Sequence, residues 1–191
     1  MIAFHNHIEM SCSPGPDPLK PTHVLVGVLA EVLFGVSGRV DFTAKAHGPW
    51  DPENLTMQIW GDENRVWNYT SEKDVAEFVA GILSLPDDVI RSKRFWSVSS
   101  GTGTLGDIAA EYGAVRGKEV GIKYMGSVEE LRVRAFEARE RGMRSRFWEY
   151  VGWFYTLWTV EGVWGLGELD NGRIGVEGEG LGGFLGRYAE V

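Results

Sequence analysis

The chain has one cysteine, Cys12, which excludes an internal disulfide framework and every multi-cysteine zinc site. It is short of positive charge: 19 Lys and Arg stand against 27 Asp and Glu, a formal net charge of −8. No basic run offsets that balance locally, so nucleic acid is not expected as a partner. A long apolar run is also missing. The richest stretch, Phe147 to Val163, is interrupted by Glu149 and Glu161 and falls short of the ~20 residues a membrane span needs. Met1 to Met10 lack a basic segment followed by an apolar core, so a secretory leader is not expected either. What is present is 191 residues, 43% hydrophobic and 24% charged, enough for one packed core without staples. The balance points to a soluble, cytoplasmic protein.

The segment 1–21 carries four prolines among Ser, Asp and Gly and reads as an extended arm. His23 to Leu29 is then a near-continuous apolar run, as in a strand covered on both faces of a parallel sheet. Short strands are expected around Gln58–Trp60, Val66–Tyr69, Arg94–Ser99 and Glu119–Tyr124. Three capping patterns announce helices: Ser71 with Asp74, Thr104 with Asp107, and Ser127 with Glu130. Behind them, Val75, Phe78, Val79, Ile82 and Leu83 form one apolar stripe, and Leu105, Ile108, Ala109 and Tyr112 another. The predicted helices are 72–83, 105–116, 128–141 and 146–161. On the third, Glu130/Arg134 and Glu137/Arg141 stand four apart in the acid-first order that favours a helix. The fourth carries Phe147, Tyr150, Val151, Phe154, Leu157 and Trp158 on one stripe, with Trp148, Trp153 and Tyr155 off it. It is apolar nearly all round and is expected to be enclosed by protein. Nine glycines between Gly165 and Gly186 predict a mostly irregular tail over 165–191. Alternation of capped helices with short apolar runs gives an α/β fold with a small, mostly parallel sheet over 22–164.

Four constellations could carry chemistry. Gly101-Thr-Gly103-Thr-Leu-Gly106 follows a strand and opens a helix, the formal setting of a dinucleotide fingerprint. Only one clear strand follows it, and Met125-Gly126 end that strand where an acidic residue is needed. A glycine-bearing turn with Thr104 as helix cap accounts for the segment. His5-Asn-His7-Ile-Glu9 offers alternate metal ligands, but on an arm with no rigid surroundings, so no metal is expected. His23, His47 and Cys12 have no partner placed by sequence, and capping accounts for Asp74. The aromatic residues of the fourth helix could line a pocket for a flat apolar ligand, although core packing uses such stripes more often.

With these elements in place a resemblance emerges. Gln58-Ile-Trp-Gly61-Asp62, then Tyr69-Thr70-Ser-Glu-Lys-Asp74-Val-Ala76-Glu-Phe-Val79-Ala80, resembles a conserved stretch of NmrA-like proteins, atypical short-chain dehydrogenases related to isoflavone reductases. Thr104-Leu-Gly-Asp-Ile-Ala109, Gly117-Lys-Glu-Val120, Gly126-Ser127-Val-Glu-Glu130-Leu131 and Leu169-Asp170-Asn171-Gly-Arg173 follow in the family's order, and Thr22 to Leu29 sits where that family has a strand. The resemblance spans about residues 20–175 and implies a partial Rossmann-like fold with a C-terminal helical lobe: the C-terminal, substrate-lobe half alone, a truncated form. It implies that NAD(P)H serves intact relatives while this chain by itself holds no nucleotide, and that no catalytic Lys or Tyr carries over. It also implies that Gly27, Val28 and Leu29 run beside the substrate, facing the aromatic helix with Trp153 and Tyr155 as contacts. A small apolar or aromatic molecule is the expected ligand. A non-catalytic regulatory module and a cofactor-independent enzyme are the alternatives. An uncovered edge on the strand at 23–29 would favour a homo-oligomer.

Overall fold

In a computed structural model that describes residues 21–191, the apolar run at 23–29 is two strands rather than one. β1 (His23–Leu25) pairs in parallel with β6 (Phe95–Ser97), whereas β2 (Val28–Leu29) pairs in parallel with β5 (Val66–Thr70). The break is at Gly27, whose φ of +70° is open to glycine. A Cβ there would lie 2.3 Å from the carbonyl oxygen of Asn68. Where the chain steps from one sheet to the other, the Thr70 hydroxyl donates to the Val26 carbonyl at 2.6 Å. β7 (Gly101–Thr104) runs antiparallel along β5, which makes β5 the centre of its sheet. In a third sheet β3 (Trp50–Asp51) lies antiparallel and β8 (Gly121–Gly126) parallel to β4 (Thr56–Trp60). The architecture is mixed α/β with small, mostly parallel sheets.

The helices follow their caps. α1 (Ala30–Leu33) is a single turn, followed by α2 (Glu72–Leu83), α3 (Asp87–Ser92), α4 (Leu105–Arg116) and α5 (Val128–Arg141). Thr104 with Asp107 and Ser127 with Glu130 make both reciprocal bonds of a capping box. Ser71 makes only half of one. Its hydroxyl accepts from the Asp74 amide, but its own amide donates to the Ser100 hydroxyl. The Asp74 carboxylate turns inward, accepting from the Ser100 hydroxyl and the Glu179 amide. Capping alone therefore does not account for Asp74. On α4 all four stripe residues are buried. On α2, Phe78 and Ile82 are buried but Leu83 is 72% exposed. On α5, Arg141 pairs with Glu137 as the spacing predicts. Glu130 serves the cap instead, and Arg134 lies over the Trp60 ring.

The aromatic segment departs most from expectation. Tyr150, with non-helical dihedrals, divides it into a 3-10 stretch (Arg144–Glu149), itself kinked at Arg146, and α6 (Val151–Val160). Tyr150, Val151, Phe154 and Leu157 are buried, but Phe147 and Trp158 are exposed and Trp148 is 66% exposed, so the helix is not enclosed all round. The glycine-rich tail is also more ordered than its composition suggests. It forms α7 (Asn171–Ile174) and α8 (Gly180–Arg187), and α8 buries Leu181, Phe184 and Leu185. The main core gathers Phe34, Trp50, Trp67, Tyr112 and Phe184 between α4, α8 and the sheets. A second cluster joins α5 to α6, and a third packs α2 against Trp96 and Val98. The expected arm and its candidate ligands His5, His7, Glu9 and Cys12 lie outside the described residues.

Candidate functional site

The split at Gly27 leaves a space over the sheet. Val66 and Asn68 of β5 point to one face and Trp67 and Tyr69 to the other, the two-residue period of a strand. Trp67 and Tyr69 enter the core, while Asn68 reaches across to Thr102 of β7, its amide donating to the hydroxyl at 2.8 Å. Above this floor stand Tyr155 and Thr159 of α6 and the loop 162–167, which brings Trp164 in. Together with Gly27, Val28 and Leu29 they enclose a cavity of about 520 Å³. Tyr155 stands edge-on to Phe42, with ring centroids 5.8 Å apart, and packs at 5.0 Å on Trp164. Beyond it lies a smaller hollow of about 240 Å³ that shares Val32, Phe42 and Tyr155 as its wall.

Gly27, Val28, Leu29 and Tyr155 therefore border one space, but Trp153 does not. Two positions along an α-helix are about 200° apart, so Trp153 points the other way. It stacks on the His47 ring at 4.2 Å and meets Trp60 edge-on. It packs between the second core cluster and the loop at 47 and, unlike the other expected contacts, does not border this cavity. His47, partly enclosed under this indole, has its pKa lowered from the ordinary value by burial. His23 stacks on Phe95. Arg65, Asn68, Thr102 and Trp164 border the cavity but were not singled out in the sequence. The alternation of Val66 and Asn68 against Trp67 and Tyr69 was the available signal for the floor.

The glycine segment is not a phosphate cradle. Gly101 to Thr104 is a paired strand, with Gly101 opposite Tyr69 and Gly103 opposite Trp67. The first turn of α4 is closed by its own box: Thr104 N–H donates to the Asp107 carboxylate, and Asp107 N–H to the Thr104 hydroxyl. A carboxylate thus stands where a pyrophosphate would need to approach, and the residues present do not fit that group. Tyr69, beneath Gly101, is pushed up to about 12, chiefly by burial and then by the charge of Glu111, so it stays protonated. Among the described residues no cluster of three or more His, Cys, Asp or Glu could hold a metal ion, and no helix is long and apolar enough to cross a membrane.

No protein-family model and no curated protein matches the chain. Solved structures do. A nucleoside-diphosphate-sugar epimerase from Staphylococcus aureus matches with TM-score 0.53 at 20% identity, over 86% of this chain and 51% of that one. An isoflavone reductase matches with TM-score 0.53 at 15% identity, over 100% of this chain and 52% of its own. A leucoanthocyanidin reductase from Vitis vinifera, solved as a ternary complex, matches with TM-score 0.50 at 16% identity, over 78% and 45%. The chain spans about half the length of each. At these identities the likeness is one of fold, and it is the fold that the sequence resemblance implied. The chain has the Rossmann-like α/β architecture of isoflavone-reductase-like enzymes, over about half of their length.

Proposed function

We propose that this chain is the substrate-binding portion of an NmrA-like, NAD(P)H-dependent oxidoreductase, and that it holds a small, flat, largely apolar molecule between the Gly27–Leu29 turn and α6. The observation that carries this reading is the cavity of about 520 Å³, walled by Tyr155, Trp164, Phe42 and Val28 with a few polar groups set among them. That size and lining are those of small-molecule sites. In an intact relative the nicotinamide supplies the hydride. The residues described here would orient the acceptor and keep water from it. Trp153 is not part of the proposal.

A non-catalytic binding module is the second reading, and Asp107 favours it. The glycine segment 101–106, which opens α4, carries its own carboxylate, so this chain alone would hold the small molecule without a nucleotide there. Titration of NADPH and NADH into the full chain should show weak binding or none. Low-micromolar affinity that disappears in Gly103→Val would refute that expectation. The pocket itself is tested with the uncharged probe 2-naphthalenemethanol, followed by calorimetry. Thr102→Trp places a large ring in the floor from an exposed position and should abolish binding at an unchanged melting temperature. Binding that survives Thr102→Trp would place the probe elsewhere and overturn the assignment.

A further inference from the structure

Of the described residues that border the cavity, Arg65 alone carries a charge. It follows the turn at Gly61–Asp62 and leads into β5, so the strand that floors the cavity also delivers its guanidinium. No described carboxylate lies within ion-pair distance, and its Nε is enclosed without any hydrogen-bond partner. The two acidic neighbours hydrogen-bond to other groups, and the pKa of the Asp62 carboxyl is held below its ordinary value by its Asn64 bonds and, to a lesser degree, by the Arg65 charge. Asp62 accepts from the amide and side chain of Asn64, at 2.9 and 3.1 Å, and Glu63 accepts from the Tyr124 hydroxyl. Gly162 lets the loop over the cavity close against the guanidinium, since a Cβ there would stand 3.2 Å from Nη1. The other space that Arg65 borders, beside Asp62 and Glu63, is about 10 Å³, room for no more than a water.

The buried, unpartnered Nε is a cost that the free protein carries. Arg65 as a whole is only partly buried, and its charge at the wall of a largely apolar cavity favours an anion there. We propose, building on the reading of the cavity as a small-molecule site, that Arg65 makes it a site for aromatic carboxylic acids: the flat ring lies among Tyr155, Trp164 and Val28, and the carboxylate meets the Arg65 fork. A single guanidinium matches the two oxygens of one carboxylate in parallel N–H···O bonds. A phosphate site gathers several cationic or backbone donors, and among the described residues no second cation borders this cavity.

The experiment pairs 2-naphthoate with 2-naphthalenemethanol, which share the ring system and differ in charge, titrated by calorimetry into the full chain, Arg65→Met and Arg65→Lys. The intact chain should prefer the carboxylate by about 10- to 100-fold, the range of a charge-assisted hydrogen bond in a partly enclosed site. Arg65→Met should erase that preference while leaving affinity for the alcohol unchanged. Arg65→Lys should keep only part of it, since an ammonium lacks the planar fork. The melting temperature of Arg65→Met should equal or exceed that of the parent, which separates lost recognition from lost folding. Equal affinity for both probes, or a preference that survives in Arg65→Met, overturns the anion assignment and leaves the cavity reading standing. If neither probe binds, or if the naphthoate still binds to Thr102→Trp, the cavity reading fails as well.

Discussion

Asp74→Ala should be among the most damaging single substitutions outside the aromatic core. The side chain is 0% exposed, and one of its oxygens accepts from both the Ser100 hydroxyl and the Glu179 amide, at 2.8 Å for the latter. Those donors come from the turn before β7 and from the residue that enters α8, so one carboxylate ties three separated segments together. Removing it leaves a hydroxyl and an amide, both partly buried, without acceptors. Each bond to a charged acceptor is worth about 1.5–3 kcal/mol, so the loss is about 3–6 kcal/mol. For a chain of this length that corresponds to a fall of roughly 6–24 °C in melting temperature. The α8 cluster of Leu181, Phe184 and Leu185 should loosen first, which hydrogen exchange of the α8 amides would report. Asp74→Asn keeps an acceptor of the same shape and should cost about half as much. A loss below 1 kcal/mol for Asp74→Ala, measured by urea denaturation, would refute the reasoning, because the two donors would then have found water or other partners.

Gly101→Ala would put a Cβ 2.1 Å from the hydroxyl of Tyr69, a ring that is itself buried. It should cost about 1–3 kcal/mol, and less in a Tyr69→Leu background, a coupling that a double-mutant cycle on thermal unfolding would show. Burial holds His47 neutral, so the unfolded chain binds a proton more readily at that site. Its contribution is full above about pH 6.5 and is lost as pH falls from there through the lower folded-state pKa. His47→Asn should flatten stability against pH below 6.5, as followed by denaturant titration. Tyr69 should resist ionisation until about pH 12, so ultraviolet titration of wild type against Tyr69→Phe should show no difference below pH 11. Light scattering checks the association expected through β1, which pairs with β6 on one side only among the described strands; a monodisperse monomer would remove the need for a second copy.

Legibility followed the range of the forces involved. α2, α4 and α5 were readable to the residue because a capping hydroxyl, a carboxylate three positions on and a stripe of apolar residues are all local signals. Features set by distant parts of the chain were hidden. The Gly27 break depends on the approach of Asn68, 41 positions later, and the inward turn of Asp74 depends on Glu179. The breaks at Arg146 and Tyr150, which interrupt the aromatic segment, are marked by no proline or glycine. In the cavity, Tyr155 could be proposed from the excess of aromatic faces on its helix, yet nothing local separated it from Trp153. Arg65 was invisible because a cation after a turn is ordinarily solvated. Only the missing partner distinguishes it.

The seven residues His23 to Leu29, which hand over from one sheet to another within a single step, have a consequence for how this protein tolerates change. The hollow over β5 lies beside a parting of ways at residue 27, with a threonine hydroxyl tying the seam at Val26. The lining of the hollow and the path of the chain are therefore set by different residues. Trp164, in the loop over the hollow, shapes the wall without taking part in the strand pairing. A side chain of any size at position 27 would force Asn68 away and alter the chamber along with the strand pairing that floors it. Diversification is open to the loop at Trp164 and closed to the joint.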